Sequence, residues 1–182
     1  MNPKFNSREL NEFFKNYEEK NSAYILGLII VSLGLYILTW IYSINKDLEN
    51  LDEDAPSSNR GAILMFVLPF IWFFIITYIK TITNSIIVEF IQVTIFLVIY
   101  ILILKYLYEF TLTFSHITRT KPIVWFSLFF LGSLGVFGYY LSFYYLFFLF
   151  SIPILLIPAM QEQLNVTYHK ISIRKNNISF YS

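Results

Sequence analysis

The chain has 182 residues, 57% hydrophobic and 20% aromatic, with only 14% charged. Soluble domains carry about 25% charged residues, so a water-soluble fold of this composition would lack the polar surface to cover itself. A net charge of +1 offers no excess for nucleic acid, the absence of cysteine excludes disulfides and thiolate sites, and two histidines leave no basis for a multi-histidine metal site.

The chain divides by composition into an amphipathic N-terminal tail (1–22), an apolar helical region (23–165) and a polar C-terminal tail (166–182). In the N-terminal tail, Leu10, Phe13, Phe14 and Tyr17 fall at i, i+3, i+4 and i+7, one face of a helix predicted over 6–20. Asn6 and Glu9 resemble a capping box at its start. Such a helix lies on a membrane surface, packs on a bundle, or forms a solvated tail.

Segment 1, "AYILGLIIVSLGLYILTWIY" (23–42), is about one bilayer crossing long (~20 residues) and lacks a small-residue cleavage site, so it reads as a permanent membrane helix. Ala23, Gly27 and Gly34 are small residues of the kind that let helices approach closely in lipid. Residues 43–60 read as a polar loop whose acidic run is a solvated charge cluster. Segment 2 (62–79) carries Pro69, which should disturb the helix. A tight "KTITN" connection leads to segment 3 (85–108), and "EFTLTFSHITRTK" reads as a second polar loop. Segment 4 starts at Pro122 and carries Gly132, Gly135 and Gly138 as a close-packing stripe. It is divided from segment 5 near residues 139–141, and segment 5 ends at "AMQEQLN". The last seventeen residues read as a short strand or a disordered tail.

Five crossings place the 43–60 loop, the 106–121 loop and the C-terminus on one side with eight basic residues, against five on the side of the N-terminus. The positive-inside rule then makes the C-terminus cytoplasmic. Trp40 and Trp125 fall at one membrane–water boundary, where indole rings are favoured.

Few polar groups suggest chemistry. Glu89 and Gln92 share a face of segment 3 and define a possible polar path, although Glu89 near a helix N-terminus is also a plain anchor within reach of Lys80. Glu109 and His116 share a loop and are the one pair suited to a lipid-modifying reaction. No G-x-S-x-G, H-E-x-x-H or Walker glycine loop accompanies them.

Gly34, Tyr36, Trp40 and Tyr42, followed by Asn45, Asp47 and Leu48, resemble the "G-x-Y…W-x-Y…K-D-L-N" junction of small bacterial membrane proteins grouped as domain of unknown function 4234. "QEQLN", Gln161 to Asn165, resembles that family's terminal "Q-x-x-L-N" element. The resemblance implies a multi-pass protein with Trp40, Asp47, Gln161 and Asn165 on one face of the membrane, and no reaction. Asp47 then hydrogen-bonds at a helix exit, and Gln161 and Asn165, four apart, present one face to a partner helix or to headgroups, or simply terminate the helix.

The sequence thus predicts an all-α integral membrane helix bundle, with about five transmembrane segments, in a bacterial inner membrane. The expected role is that of a non-enzymatic subunit or accessory protein. Its expected partners are the lipid bilayer and a membrane protein or second copy, with no nucleic acid and no cofactor. A transporter path at Glu89 and Gln92 and a membrane-embedded enzyme are the alternatives.

Overall fold

The computed structural model describes residues 10, 13–15, 17–49, 55–82, 86–140 and 151–179. All regular structure among these residues is helical, as the sequence predicts. In chain order the helices are α1 (Ser22–Val31), α2 (Leu35–Glu49), α3 (Ser58–Ala62), α4 (Leu68–Ile82), α5 (Ile86–Thr118), α6 (Pro122–Tyr140) and α7 (Ser151–Ser179). A π-helical stretch, Ile63–Val67, joins α3 to α4. It sits directly before Pro69, whose ring would clash with the carbonyl four residues earlier in a regular α-helix.

Segment 1 departs from its predicted form: it is two helices. α1 stops at Val31, and Leu33 (φ 52°) and Gly34 (φ 89°) both take positive φ. The Gly34 amide closes on the Ile29 carbonyl and the Leu33 amide on the Ile30 carbonyl, the bonding of a C-terminal cap with Leu33 in the left-handed position and Gly34 after it. The chain then folds back. Ser22 Oγ donates to Glu162 Oε2 at 2.7 Å and Trp40 Nε1 donates to Gln161 Oε1 at 2.9 Å. Ser22 and Trp40 thus reach adjacent residues of α7. A straight helix would hold them about 27 Å apart. The charge of Lys20 also acts on the Asp47 carboxyl, which opposed ends of a single crossing would forbid. Ser22–Glu49 is therefore a helical hairpin with its tip at Ser32–Gly34.

Among the described residues two helical stretches are long and apolar enough to cross a membrane, Ser58–Ile79 (22 residues) and Ile86–Thr118 (33 residues). Only 12% and 6% of their apolar windows are buried in the protein, unlike the core helix of a soluble fold. α5 changes character along its length of about 50 Å. Before Lys105 it exposes Ile87, Phe90, Ile91, Val98 and Ile101. From Tyr106 onward it buries Tyr106, Leu107, Phe110, Phe114 and Ile117. The predicted 106–121 loop is therefore mostly helix. Three of its threonine hydroxyls bond back to the preceding turn (Thr111 to Tyr108 O, Thr113 to Glu109 O, Thr118 to Phe114 O), so they enter the core with their donors satisfied. Helix likewise replaces the first part of the predicted 43–60 loop, up to Glu49, and the predicted strand or disorder of the C-terminal tail, up to Ser179.

The core gathers where the second half of α5 meets α2 and α7. Trp40, Ile41, Leu48, Phe110, Phe114, Met160 and Leu164 are among its buried members. This is the clasp end of the molecule, and the α4–α5 connection is the far end. The N-terminal segment covers the clasp end, with Leu10 and Phe14 buried and the rings of Phe14 and Tyr17 packed at a tilt against Tyr168, centroids 5.8 and 5.4 Å away. Of the predicted 6–20 helix, Tyr17–Lys20 are irregular, and Asn6 and Glu9 lie outside the described residues. Gly132 has the close-packing role expected of it, since a Cβ there would overlap the Pro153 ring of α7. Gly27 does not. It faces open space, because α1 turns another side to α7.

Candidate functional site

The clasp end holds a closed polar network built from both ends of the chain. Gln161 Oε1 accepts the Trp40 indole N–H at 2.9 Å. Gln161 Nε2 donates to Asn165 Oδ1 at 3.0 Å and to the Tyr17 hydroxyl. That hydroxyl donates to Asn165 Oδ1 at 2.6 Å, and Asn165 Nδ2 donates to the Lys20 carbonyl at 2.9 Å. The i, i+4 spacing on α7 sets the two amides one above the other. Gln161 and Asn165 are buried. Burial pushes the Tyr17 phenol above its ordinary range, against the opposing pull of its bond with Gln161. Each amide oxygen is satisfied within the network, so its chemistry is that of a structural clasp joining α2, α7 and the N-terminal segment.

A second closure ties α2 to α3. Glu49 accepts the Ser58 amide at 2.9 Å and the Ser58 hydroxyl at 2.6 Å, and these bonds hold its carboxyl below the ordinary range. Asn45 donates to the Pro56 carbonyl. Tyr106 lies against Gly61, where a Cβ would overlap its hydroxyl and Cζ. The Tyr106 hydroxyl, Asn45 Oδ1 and Ser115 Oγ are buried with no hydrogen-bond partner.

Trp40, Gln161 and Asn165, singled out in the sequence, thus meet in one network. Asp47 stands apart on an exposed part of α2. Its carboxyl keeps surface, yet the protein around it excludes enough water to push it above its ordinary range, with Lys20 and Lys46 drawing it back. Trp125 is half-buried at the α5–α6 turn, its indole donating to Thr120 Oγ1 at 2.7 Å. Glu89 and Gln92 do not face one space. Glu89 is exposed, whereas Gln92 is buried with Nε2 lacking an acceptor. The Lys80 side chain lies outside the described residues. Glu109 and His116 are two turns apart on α5, about 10 Å along its axis. The Glu109 carboxylate is held by Arg60 at 3.4 Å and Lys105 at 3.9 Å. Among the described residues no cluster of three His, Cys, Asp or Glu is arranged to hold a metal.

The sequence reading missed an apolar pocket of about 280 Å³ under the hairpin tip, lined by Leu33, Gly34, Leu38, Ile103, Phe129 and Ser133 among others. Its one sequence signal is Ser32–Gly34, a helix-stopping triplet inside an apolar run. Tyr17 was also missed, because its spacing with Phe13 and Phe14 reads as an apolar face.

No protein-family model matches the chain, and no curated protein or solved structure shows significant similarity to it.

Proposed function

We propose that the chain is a non-enzymatic integral membrane protein, a small subunit or accessory protein of a bacterial cytoplasmic membrane that works through helix packing and lipid contact. The observation carrying this is the contrast between its two ends. The α4–α5 shafts turn Phe70, Phe74, Phe90 and Ile101 outward along their length, a surface that only hydrocarbon solvates well. Gln161, Asn165 and Glu109, three of the polar groups singled out in the sequence, are engaged by internal bonds.

In this reading the five predicted crossings become four, made by α3–α4, by α5 and by two passes within the apolar sequence 122–160, with α1–α2 as a re-entrant hairpin. An even number returns both chain ends to the clasp end. Lys15, Lys20, Lys46, Arg60, Lys105, Arg119, Lys121 and Lys170 all belong to that end, and Lys80 lies near the far end. The basic excess makes the clasp end cytoplasmic. The resemblance to domain of unknown function 4234 belongs to the same proposal. Its two motifs meet in the Trp40–Gln161 bond.

Alkaline washing of native membranes followed by crosslinking tests the reading. The chain should stay in the pellet and crosslink to a membrane protein or to a second copy. Release into the wash would remove the membrane reading, and a solitary monomer would remove the subunit role. The polar-path alternative retains one supporting observation, the orphan amide of Gln92.

A further inference from the structure

The pocket under the hairpin tip has a position, a shape and a chemistry that select a ligand. Gly34 lies about 9 Å along α2 from Trp40, so the tip sits inside the apolar layer if Trp40 marks its boundary. The wall is formed by Leu33, Leu38, Ile103 and Phe129, with Ser133 as its polar side chain. Ser133 Oγ is already engaged, donating to the Phe130 carbonyl at 2.7 Å and paired with the Tyr100 hydroxyl at 2.7 Å. Water needs two to four polar partners to occupy a cavity, and the side chains lining this one are apolar apart from Ser133. A vacant apolar space of this size forfeits dispersion contacts on every wall.

The mouth is continuous with the surface that faces hydrocarbon. Val31 and Leu33 at the tip are 83% and 89% exposed, and Leu35, which lines the pocket, is 63% exposed. The break between α1 and α2 produces the space, because a straight helix over 23–42 would leave no tip for the other helices to pack beneath. We infer that this pocket binds one acyl chain of a bilayer phospholipid, inserted sideways beneath the re-entrant hairpin. The inference rests on the membrane reading above. It makes the hairpin a lipid-holding element, in which the chain completes the packing among α2, α5 and α6.

The test reconstitutes the purified protein into phosphatidylethanolamine–phosphatidylglycerol vesicles containing a small share of phospholipid with a diazirine at mid-chain. After irradiation, crosslinked peptides are mapped by mass spectrometry. Crosslinks should concentrate on residues 33–38 and 129–133. Filling the pocket with Ile103→Trp should reduce them at least fivefold, whereas Ile101→Trp on the exposed face should leave them unchanged. Leu38→Phe serves as the filling variant should Ile103→Trp not fold. Uniform labelling of exposed faces, insensitive to a folded filling variant, would overturn the acyl site and leave the membrane reading standing. A protein that fails to float with the vesicles would overturn both.

Discussion

Gln161 engages both polar atoms of its amide, and that is why a polar side chain tolerates burial between α2, α7 and the N-terminal segment. Trp40→Phe keeps the bulk of the ring but removes the donor to Gln161 Oε1. A buried acceptor left alone costs about 1–3 kcal/mol, so thermal unfolding in detergent should shift down accordingly. Tyr17 supplies a pH dependence of known sign. Burial raises its phenol in the folded chain against the opposing pull of Gln161, so the neutral form is the one the fold stabilises. That stability is fully present below the ordinary tyrosine range near pH ~10 and is lost as pH rises above it. The N-terminal segment should therefore become protease-sensitive in strong alkali, with the sensitivity shifted to neutral pH in Tyr17→Ala. At Gly132 a methyl group meets Pro153, so Gly132→Ala should destabilise by about 1–3 kcal/mol, with partial rescue by Pro153→Ala in a double-mutant cycle. Trp40, Gln161 and Asn165 were legible in the sequence because their types and spacing are unusual in an apolar chain. Their mutual contact was not, because it spans most of the chain.

At the scale of elements, hydropathy identified where apolar helices lie but not where they bend. Residues 23–42 are uniformly apolar, so the average hides the Ser32–Gly34 stop, and Gly34 read as a close-packing residue when it is a helix terminator. A positive φ is open to glycine at little cost and strains other residues by about 1–3 kcal/mol. Gly34→Val should therefore destabilise the protein by about that amount, whereas Leu33→Gly should be neutral or stabilising. Circular dichroism melts of the two variants in the same detergent check this. The reverse error occurred at 109–118. Threonine and serine lower the hydropathy enough to suggest a loop, yet the hydroxyls of Thr111, Thr113 and Thr118 bond to carbonyls of the preceding turn and the helix continues.

At the scale of the whole molecule, the hairpin and the clasp place the N-terminal segment beside the C-terminal half of α7. An odd number of crossings predicts the opposite. The all-helical class and the two long apolar stretches were readable from composition and run length. The arrangement of ends was not, because one reversal inside an apolar run changes the side of everything before it. In the proposed four-crossing arrangement that reversal gathers most of the basic residues on one side. The most direct test uses the native lack of cysteine. Single substitutions Glu18→Cys, Lys46→Cys and Lys170→Cys, with Ile82→Cys for the far end, are labelled in intact cells with a membrane-impermeant maleimide. The first three should stay unlabelled until the cells are lysed, while Ile82→Cys reacts from outside. Labelling of Glu18→Cys from the side opposite Lys170→Cys would contradict the re-entrant hairpin.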